Sequence, residues 1–315
     1  MSIQVRNIRY VYNEGLPDET VALDNVSFDL FDGEIAGVIG HTGSGKSTML
    51  QQLNGLLRPS EGTIVVDGKE ITSPTAVLRD VRRSVGMVFQ YPEYQLFEET
   101  IEKDVAFGPR NVGVPENEIE ARVRSSLELV GLDYDEIKDR SPFDLSGGQK
   151  RRAAIAGVLA MEPHVLVLDE PTAGLDPESH TEIIDMVRRI HKEKGGIIIF
   201  VSHNMMDVAS LSDRVIVMDR GRVITVDTPK DVFSNRALLE GIGLDVPPVT
   251  AFMHGLKARG MDLRTDALTY DEAADVLLRH FRVSSDEASA HSNSSAGSDE
   301  ATAHSHLEAG EGGDE

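Results

Sequence analysis

The pattern of apolar and polar positions changes along the chain from strand-like to helix-like and back. Residues 3–6 and 21–30 alternate with a period of two, and residues 34–39 and 85–89 are short, mostly apolar runs. These patterns predict β-strands. The dipeptide Asp67-Gly68, which lies in an apolar context, predicts a hairpin turn.

The middle of the chain has the helical period. Residues 100–107 and 116–130 are expected to form helices, and Gly131 is suited to end the second one. After Pro163 the order becomes strand (165–168), helix (177–194) and strand (197–201 and 215–218). Because strands that alternate with helices favour a parallel sheet covered on both faces, we expect an α/β fold with a helical insertion at about 92–157.

The C-terminal part of the chain differs in composition. Two short helices are expected after Pro248, the second opened by a capping-box pattern over residues 269–272. We therefore predict a main α/β domain over 1–245, a helical extension over 246–283 and a tail over 284–315. The tail contains eight acidic residues and no Lys or Arg, which predicts disorder. Its histidines are interpreted as solvated side chains, not metal ligands: His291, His304 and His306.

The bulk composition limits the possible functions. The 315 residues carry a net charge of −22, which argues against a nucleic-acid partner bound through a basic surface. No apolar run reaches the roughly 18 residues needed to span a bilayer, and the first residues lack a signal-peptide pattern. The absence of cysteine excludes disulfides and fits the cytosol.

A phosphate-binding loop is the strongest chemical signal. It fits the pattern G-x-x-x-x-G-K-[ST] with Gly40, His41, Thr42, Gly43, Ser44, Gly45, Lys46 and Ser47. Its glycines let backbone N–H groups surround phosphate oxygens, Lys46 can reach the β- and γ-phosphates, and the Ser47 hydroxyl can bind Mg²⁺. A strand before the loop and a helix after it would direct the positive helix end at the phosphates.

Two further motifs concern hydrolysis. Asp169 and Glu170 end an apolar strand, so Asp169 is expected near Mg²⁺ and Glu170 near an attacking water. An acidic pair at an ordinary strand end is the alternative. Leu145-Ser146-Gly147-Gly148-Gln149 precedes a helix and could form a second anion site, although a capped helix would also explain one serine and one glycine.

Together these motifs resemble those of ATP-binding-cassette (ABC) transporter ATPases, from about residue 2 to 240. The resemblance implies a P-loop fold with a RecA-like parallel core sheet, an antiparallel N-terminal β-subdomain and an inserted helical subdomain. It implies ATP and Mg²⁺ as cofactors. Residues 145–149 match the family signature, which contacts ATP through Ser146, Gly147, Gly148 and Gln149.

Single residues also match the family pattern. Gln90 resembles the Q-loop glutamine and a ligand of Mg²⁺, beside Ser47 and Asp169, and His203 resembles the switch histidine. Asp176 resembles the D-loop aspartate that contacts an opposite subunit, although it could also cap a helix. Tyr12 is placed to stack on adenine, and Thr48 completes the nucleotide site. The catalytic residues would be Glu170, His203 and Gln90.

The family geometry implies a head-to-tail dimer. Each signature caps the ATP held by the partner's phosphate loop, and this chain has one copy of each motif. Pairing with another ATPase chain is therefore expected, and isolated monomers should hydrolyse ATP weakly.

The segment 90–100 resembles that of energy-coupling factor transporter ATPases, nearest to their second-type subunit. This resemblance implies a heterodimer on the cytoplasmic face of the membrane, bound to a membrane coupling subunit and a substrate-binding membrane subunit, that imports a vitamin or metal ion. Glu93, Glu98 and Glu99 would suit basic coupling helices, or form a solvated acidic face.

Other functions remain open at this point. The ATPase of another ABC importer, for amino acids or for cobalt or nickel, shares every catalytic motif but differs after Gln90. A non-transport ABC protein usually has two cassettes or a long coiled coil, and the chain shows neither. A non-hydrolysing nucleotide sensor would need a defective site, yet Glu170 and His203 are present.

Overall fold

Ten strands form two sheets in the first part of the chain. The computed structural model describes residues 2–281, which divide into two units, one ending at Pro248 and the other beginning at Val249. The predicted tail 284–315 and its histidines lie outside the described residues. The strands are β1 (Ser2–Tyr12), β2 (Thr20–Phe31), β3 (Ile35–Ile39), β4 (Glu61–Val66), β5 (Lys69–Glu70), β6 (Val85–Val88), β7 (Val165–Asp169), β8 (Ile197–Val201), β9 (Arg214–Asp219) and β10 (Arg222–Asp227).

The larger sheet has the order β10-β9-β3-β8-β7-β6. Strands β9, β3, β8, β7 and β6 are parallel, and β10 pairs with β9 in the antiparallel sense. Every residue of β3, β7 and β8 is buried, which explains why these strands are continuous apolar runs instead of alternating ones. The residues that follow β3, β6, β7 and β8 meet at one edge of this sheet.

The smaller sheet is antiparallel, with the order β2-β1-β4-β5. Asp67 and Gly68, with φ of +52° and +75°, connect β4 to β5 and confirm the predicted hairpin turn. Ile3, Leu23, Leu30 and Ile64 lie on its buried face and pack in one core with residues of the parallel sheet. This core holds the N-terminal strands against the phosphate-loop side of the molecule.

Ten α-helices complete the first unit, beside the 3₁₀-helices Pro92–Gln95 and Pro142–Asp144. They are α1 (Lys46–Leu53), α2 (Leu78–Ser84), α3 (Ile101–Asn111), α4 (Glu116–Leu129), α5 (Tyr134–Ile137), α6 (Gly147–Leu159), α7 (Pro177–Lys194), α8 (Met205–Leu211), α9 (Pro229–Ser234) and α10 (Arg236–Gly241). Helices α3 to α6 lie in the chain between β6 and β7 and form the helical insertion. Gly131, with φ of +78°, lies two residues beyond α4. The α/β fold class predicted from the sequence is confirmed.

The second unit contains α11 (Pro248–Ala258) from its second residue onward, and a helix over residues 270–281, which we label α12. The Thr250 hydroxyl donates a hydrogen bond to the carbonyl of Ala267 at 2.7 Å. At the start of α12, the N–H of Glu272 donates to the Thr269 hydroxyl at 3.2 Å, as the capping-box pattern predicts. The Glu272 carboxylate accepts from the N–H of Leu268 at 2.8 Å.

Candidate nucleotide site

The loop between β3 and α1 has a shape that requires its glycines. Gly45 has φ of +100°, in the left-handed region, and a Cβ there would lie 2.8 Å from the carbonyl oxygen of Ala22. A Cβ on Gly40 would lie 2.5 Å from the carbonyl oxygen of Met218. The backbone therefore passes too close to its neighbours for any side chain at these two positions.

The Lys46 ammonium lies inside this loop. It donates hydrogen bonds to the carbonyls of Gly40 at 2.6 Å and His41 at 3.1 Å. Burial lowers the pKa of Lys46, and the carboxylates of Glu170 and Asp169 oppose that shift. A cation is thus held at the start of α1, where the first backbone N–H groups of the helix are also directed.

Ser47 and Asp169 lie in contact at the ends of α1 and β7. The Ser47 hydroxyl donates to Asp169 Oδ2 at 3.3 Å. Asp169 is buried, and its pKa is raised by burial and then by the neighbouring Glu170. A hydroxyl and a buried, destabilised carboxylate are the hard oxygen ligands that Mg²⁺ prefers, so the residues present fit this cation.

Glu170 is held between two other polar side chains. His203 Nε2 lies 2.6 Å from Glu170 Oε1, and Gln90 Nε2 donates to Glu170 Oε2 at 3.3 Å. The three residues follow β8, β7 and β6, whose ends meet at one edge of the sheet. Glu170 has φ of +52°, and its N–H donates to the carbonyl of Val201, so this left-handed residue still continues the pairing of β7 with β8.

A cleft of about 560 Å³ opens over these residues, a volume typical of small-molecule sites. Six of its lining residues belong to the phosphate loop and α1: Thr42, Gly43, Gly45, Lys46, Ser47 and Thr48. Tyr12, Gln90, Glu170 and His203 also line it. The Tyr12 hydroxyl lies 3.2 Å from Thr48 Oγ1, and the Tyr12 ring packs edge-on against Tyr10 at 4.8 Å.

Some predicted site residues do not line the cleft. His41 Nε2 lies 2.7 Å from Asp219 Oδ1, so its ring contacts the end of β9. Ser44 is buried, and its hydroxyl has no hydrogen-bond partner among the described residues. Gly40 and Asp169 also lie outside the lining of the cleft. Asp169 contacts Ser47, which does line it.

The signature residues lie outside the cleft as well. Ser146 is the N-cap of α6: its hydroxyl accepts from the N–H of Gln149 at 3.2 Å, while Gln149 Oε1 accepts from the N–H of Ser146 at 3.1 Å. Ser146 and Gly147 are exposed. Within this chain alone, Ser146 therefore acts as a helix cap, as the alternative interpretation stated. The exposed residues of the signature face outward.

Asp176 caps the next long helix. Its carboxylate accepts from the N–H groups of Glu178 and Ser179 at 3.1 and 3.0 Å. The hydrogen bonds from Ser179 lower the pKa of Asp176. These bonds show the capping role considered from the sequence. The side chain is exposed and does not line the cleft.

The structure corrects the expectation for Glu93. Its carboxylate bonds to the guanidinium of Arg151, at 2.6 Å for the shorter contact, and its side chain is 15% exposed. Glu93 is therefore not free for a basic partner helix. Glu99, in contrast, pairs with Lys103 on the surface. Local sequence patterns do not predict that Arg151 is buried beside Glu93, because a basic residue on a helix is usually exposed.

A pair of polar side chains, Asp207 and His180, was also not predicted from the sequence. Asp207 is buried and bonds to His180 Nε2 at 2.9 Å. Burial raises its pKa, and hydrogen bonds from His180, Thr172 and Ser202 oppose this. The residues come from segments far apart in the chain, so no local pattern links them.

Comparison with known proteins places this site in a family. Residues 23–173 match the family described as ABC transporter. The energy-coupling factor transporter ATP-binding protein EcfA2 of Caldanaerobacter subterraneus subsp. tengcongensis is 52% identical over 282 residues, which cover 90% of this chain and 98% of the relative. The protein of the same name from Symbiobacterium thermophilum is 54% identical, over 88% of this chain and 96% of the relative.

Solved structures show the same architecture. CbiO1 from Clostridium perfringens, described as part of the ABC transporter complex CbiONQ, superposes with a TM-score of 0.67 at 40% identity, covering 81% of this chain and 98% of that one. A dimeric ATP-binding cassette in a post-hydrolysis state, bound to ADP and phosphate, gives 0.64 at 27% identity, over 72% and 98%.

Proposed function

Because this chain belongs to the energy-coupling factor transporter ATP-binding proteins, a family of ABC transporter ATPases, we propose that it hydrolyses ATP in a site shared with a second ATPase subunit. The chain is the ATPase subunit of such an ABC importer. In the proposed complex its partner is a different ATPase chain, and both are bound to a membrane coupling subunit and a substrate-binding membrane subunit.

One observation carries the shared-site proposal. The residues that would bind the triphosphate line one cleft, whereas Ser146 and Gly147 lie exposed on the helical insertion and outside that cleft. An outward-facing helix N-terminus with a glycine pair suits an anion supplied by another molecule. The exposed Asp176 is available to the same partner. The dimeric cassette with bound ADP and phosphate supports this arrangement.

The chemistry proposed for the cleft is in-line attack of water on the γ-phosphate. The Glu170 carboxylate accepts the proton of the water, while Gln90 and His203 hold its two oxygens in place. Lys46 and the backbone N–H groups at the start of α1 neutralise the charge of the phosphates. Tyr12 stacks on the adenine, and the hydroxyl of Thr48 fixes the Tyr12 ring.

We propose Mg²⁺ as the cation of this site. Ser47, Asp169 and Gln90 would hold it, and when bound it neutralises charge on the β- and γ-phosphates. The fit rests on the oxygen ligands brought together here: the Ser47 hydroxyl lies 3.3 Å from the buried carboxylate of Asp169, which gains from a nearby cation.

The location follows from the partners. Among residues 2–281, no helix combines the length and apolar character needed to cross a bilayer. The chain is associated with membrane components of its transporter, and we propose the cytoplasmic face as its position and a vitamin or metal ion as the solute. For the domain organisation we propose an ATPase domain over 1–245 with a C-terminal helical extension.

The proposed function is tested by comparing the ATP hydrolysis rate of the isolated chain with that of the assembled complex. The chain is purified alone and together with its partner ATPase and membrane subunits, and ATP hydrolysis is measured with the oligomeric state followed by light scattering. We expect weak hydrolysis by the monomer and much faster hydrolysis by the complex. A monomer that stays monomeric during turnover and hydrolyses ATP as fast as the complex would refute the shared site.

A further inference from the structure

Arg151, on α6, is a buried cation with an unusually complete set of partners. Its side chain is 2% exposed. Nε and Nη2 donate to the two carboxylate oxygens of Glu93, at 3.0 and 2.6 Å, and Nη1 donates to the carbonyls of Pro171 and Ala173, at 3.0 and 2.7 Å. A planar guanidinium that makes a bidentate pair and two further bonds has one orientation.

These contacts join three segments that serve the nucleotide site. Glu93 lies in the 3₁₀-helix Pro92–Gln95, three residues after Gln90. Arg151 lies five residues after Ser146, on the helix that the signature opens. Pro171 and Ala173 follow Glu170 and lead to Asp176. Each segment therefore carries a residue assigned above to ATP hydrolysis or to the partner subunit.

The segment after Gln90 also meets the segment after Glu170 directly, through the ring of Tyr91. The Arg151 Cζ lies 5.8 Å from the centre of the Tyr91 ring. Gly174 faces the same ring, because a Cβ on it would lie 3.5 Å from Tyr91 Cε1. Tyr91 itself has φ of +55°, a conformation that the surrounding contacts must hold.

The ion pair favours the charged form of Glu93. Burial opposes ionisation of Glu93, but the hydrogen bonds from Arg151, a backbone hydrogen bond and the charge of Arg151 together outweigh it, so the pKa of Glu93 is lowered. Removing either partner would leave a buried group without its partner, which is much less favourable than the pair itself.

We propose that Arg151 is a positioning residue that couples the segment after Gln90 to the signature helix and to the segment after Glu170. This inference rests on the proposed function, since it gives those three segments their roles. A displacement of Glu93 moves the guanidinium, and the guanidinium moves α6 and the carbonyls of Pro171 and Ala173. Movement at the residues next to Gln90 is thereby transmitted to the surface offered to the second subunit.

The test uses the assembled complex with Glu93→Gln, Arg151→Lys and the double variant. Because the chain contains no cysteine, a spin label can be attached to Tyr94→Cys, whose side chain is exposed. In the otherwise unchanged complex we expect ATP to alter the mobility of this label. In the variants that response should be lost and kcat should fall about tenfold to a hundredfold, as expected for a small misplacement of catalytic groups.

The accompanying measurements separate positioning from a structural role. The KM for ATP should change less than about twofold, because the contacts of Lys46 are intact. The double variant should be no worse than the more impaired single one, since both changes break one contact. Arg110→Lys and Glu116→Gln are matched controls, because these residues form an exposed bidentate pair in the same helical insertion.

Three outcomes would overturn the inference: a retained label response in the variants, additive effects in the double variant, or losses of ATP affinity and kcat in the same proportion with a lower Tm. Failure of the unsubstituted complex to hydrolyse ATP would instead count against the proposed function.

Discussion

His203 Nε2 lies 2.6 Å from Glu170 Oε1, and this contact fixes one oxygen of the carboxylate while Gln90 binds the other. The carboxylate thus has one orientation, although Glu170 follows the end of its strand. Three strands that are distant in sequence provide the three side chains. A carboxylate held in this way is oriented before a water molecule arrives, which is the property that a general base requires.

Glu170→Gln should abolish hydrolysis without preventing nucleotide binding. The amide cannot accept the proton of water, so we expect kcat to fall by about 10² to 10⁴. The phosphate loop and Lys46 are unchanged, and the Kd for ATP should therefore stay nearly constant. Single-turnover hydrolysis and equilibrium binding measure the two quantities. Glu178→Gln, on the exposed start of α7, is the control, and equal losses in both variants would contradict the role of Glu170.

Substitutions of Tyr12 should separate its ring from its hydroxyl. Loss of base stacking is worth about 1 to 3 kcal/mol, so Tyr12→Ala should raise the Kd for ATP roughly tenfold or more. Tyr12→Phe loses only an exposed hydrogen bond to Thr48 and should change the Kd about twofold. Titration with a fluorescent ATP analogue distinguishes them. Equal affinities for the Ala and Phe variants would remove Tyr12 from the adenine site.

Two variants of Ser146 should separate helix capping from nucleotide contact. Ser146→Ala removes the cap on the N–H of Gln149, which costs about 1 kcal/mol and lowers Tm. Ser146→Asp keeps an acceptor at that position, so Tm should be retained, but its charge would repel a triphosphate. Both should lose hydrolysis in the assembled complex, while ATP binding by the isolated chain is unaffected. Normal hydrolysis by the Asp variant would place the signature away from ATP.

Asp169→Asn should stabilise the protein while it inactivates the site. Burial and Glu170 raise the pKa of Asp169 above its unfolded value of about 3.9, so the folded state carries an unfavourable charge at neutral pH. This penalty is absent below that value, grows as pH rises towards the folded pKa and is complete above it. Thermal unfolding without nucleotide should thus show a higher Tm for the variant at pH 7 to 8, with a smaller gain as the pH falls towards the unfolded pKa. A lower Tm at pH 8 would contradict the assigned direction.

Local sequence patterns predicted the elements whose structure is locally determined. The helix over 177–194 matches the observed α7 because its start and end are fixed by nearby residues, including the cap at Asp176 and Pro177. The turn at Asp67-Gly68 needs only two residues that tolerate positive φ. The phosphate loop is recognised from its own glycines, although the close approach of its backbone to Ala22 and Met218 depends on distant segments.

The unpredicted features depend on contacts between distant segments. Strand β10 has no residue that is fully buried, so its apolar signal is weak and its pairing with β9 decides its structure. The buried guanidinium of Arg151 has partners from distant segments: Glu93, Pro171 and Ala173. The outward position of Ser146 likewise depends on how the helical insertion packs, which no local pattern encodes.

The position of β8 between β3 and β7 affects the order in which the site is completed on the ribosome. β3 and β7 each pair with β8 and not with one another. A nascent chain that has not yet reached residues 197–201 therefore lacks the strand that joins Lys46 to Glu170. The hydrolytic groups come into register only after residues 197–203 have emerged, so a shorter nascent chain lacks a complete set of hydrolytic groups.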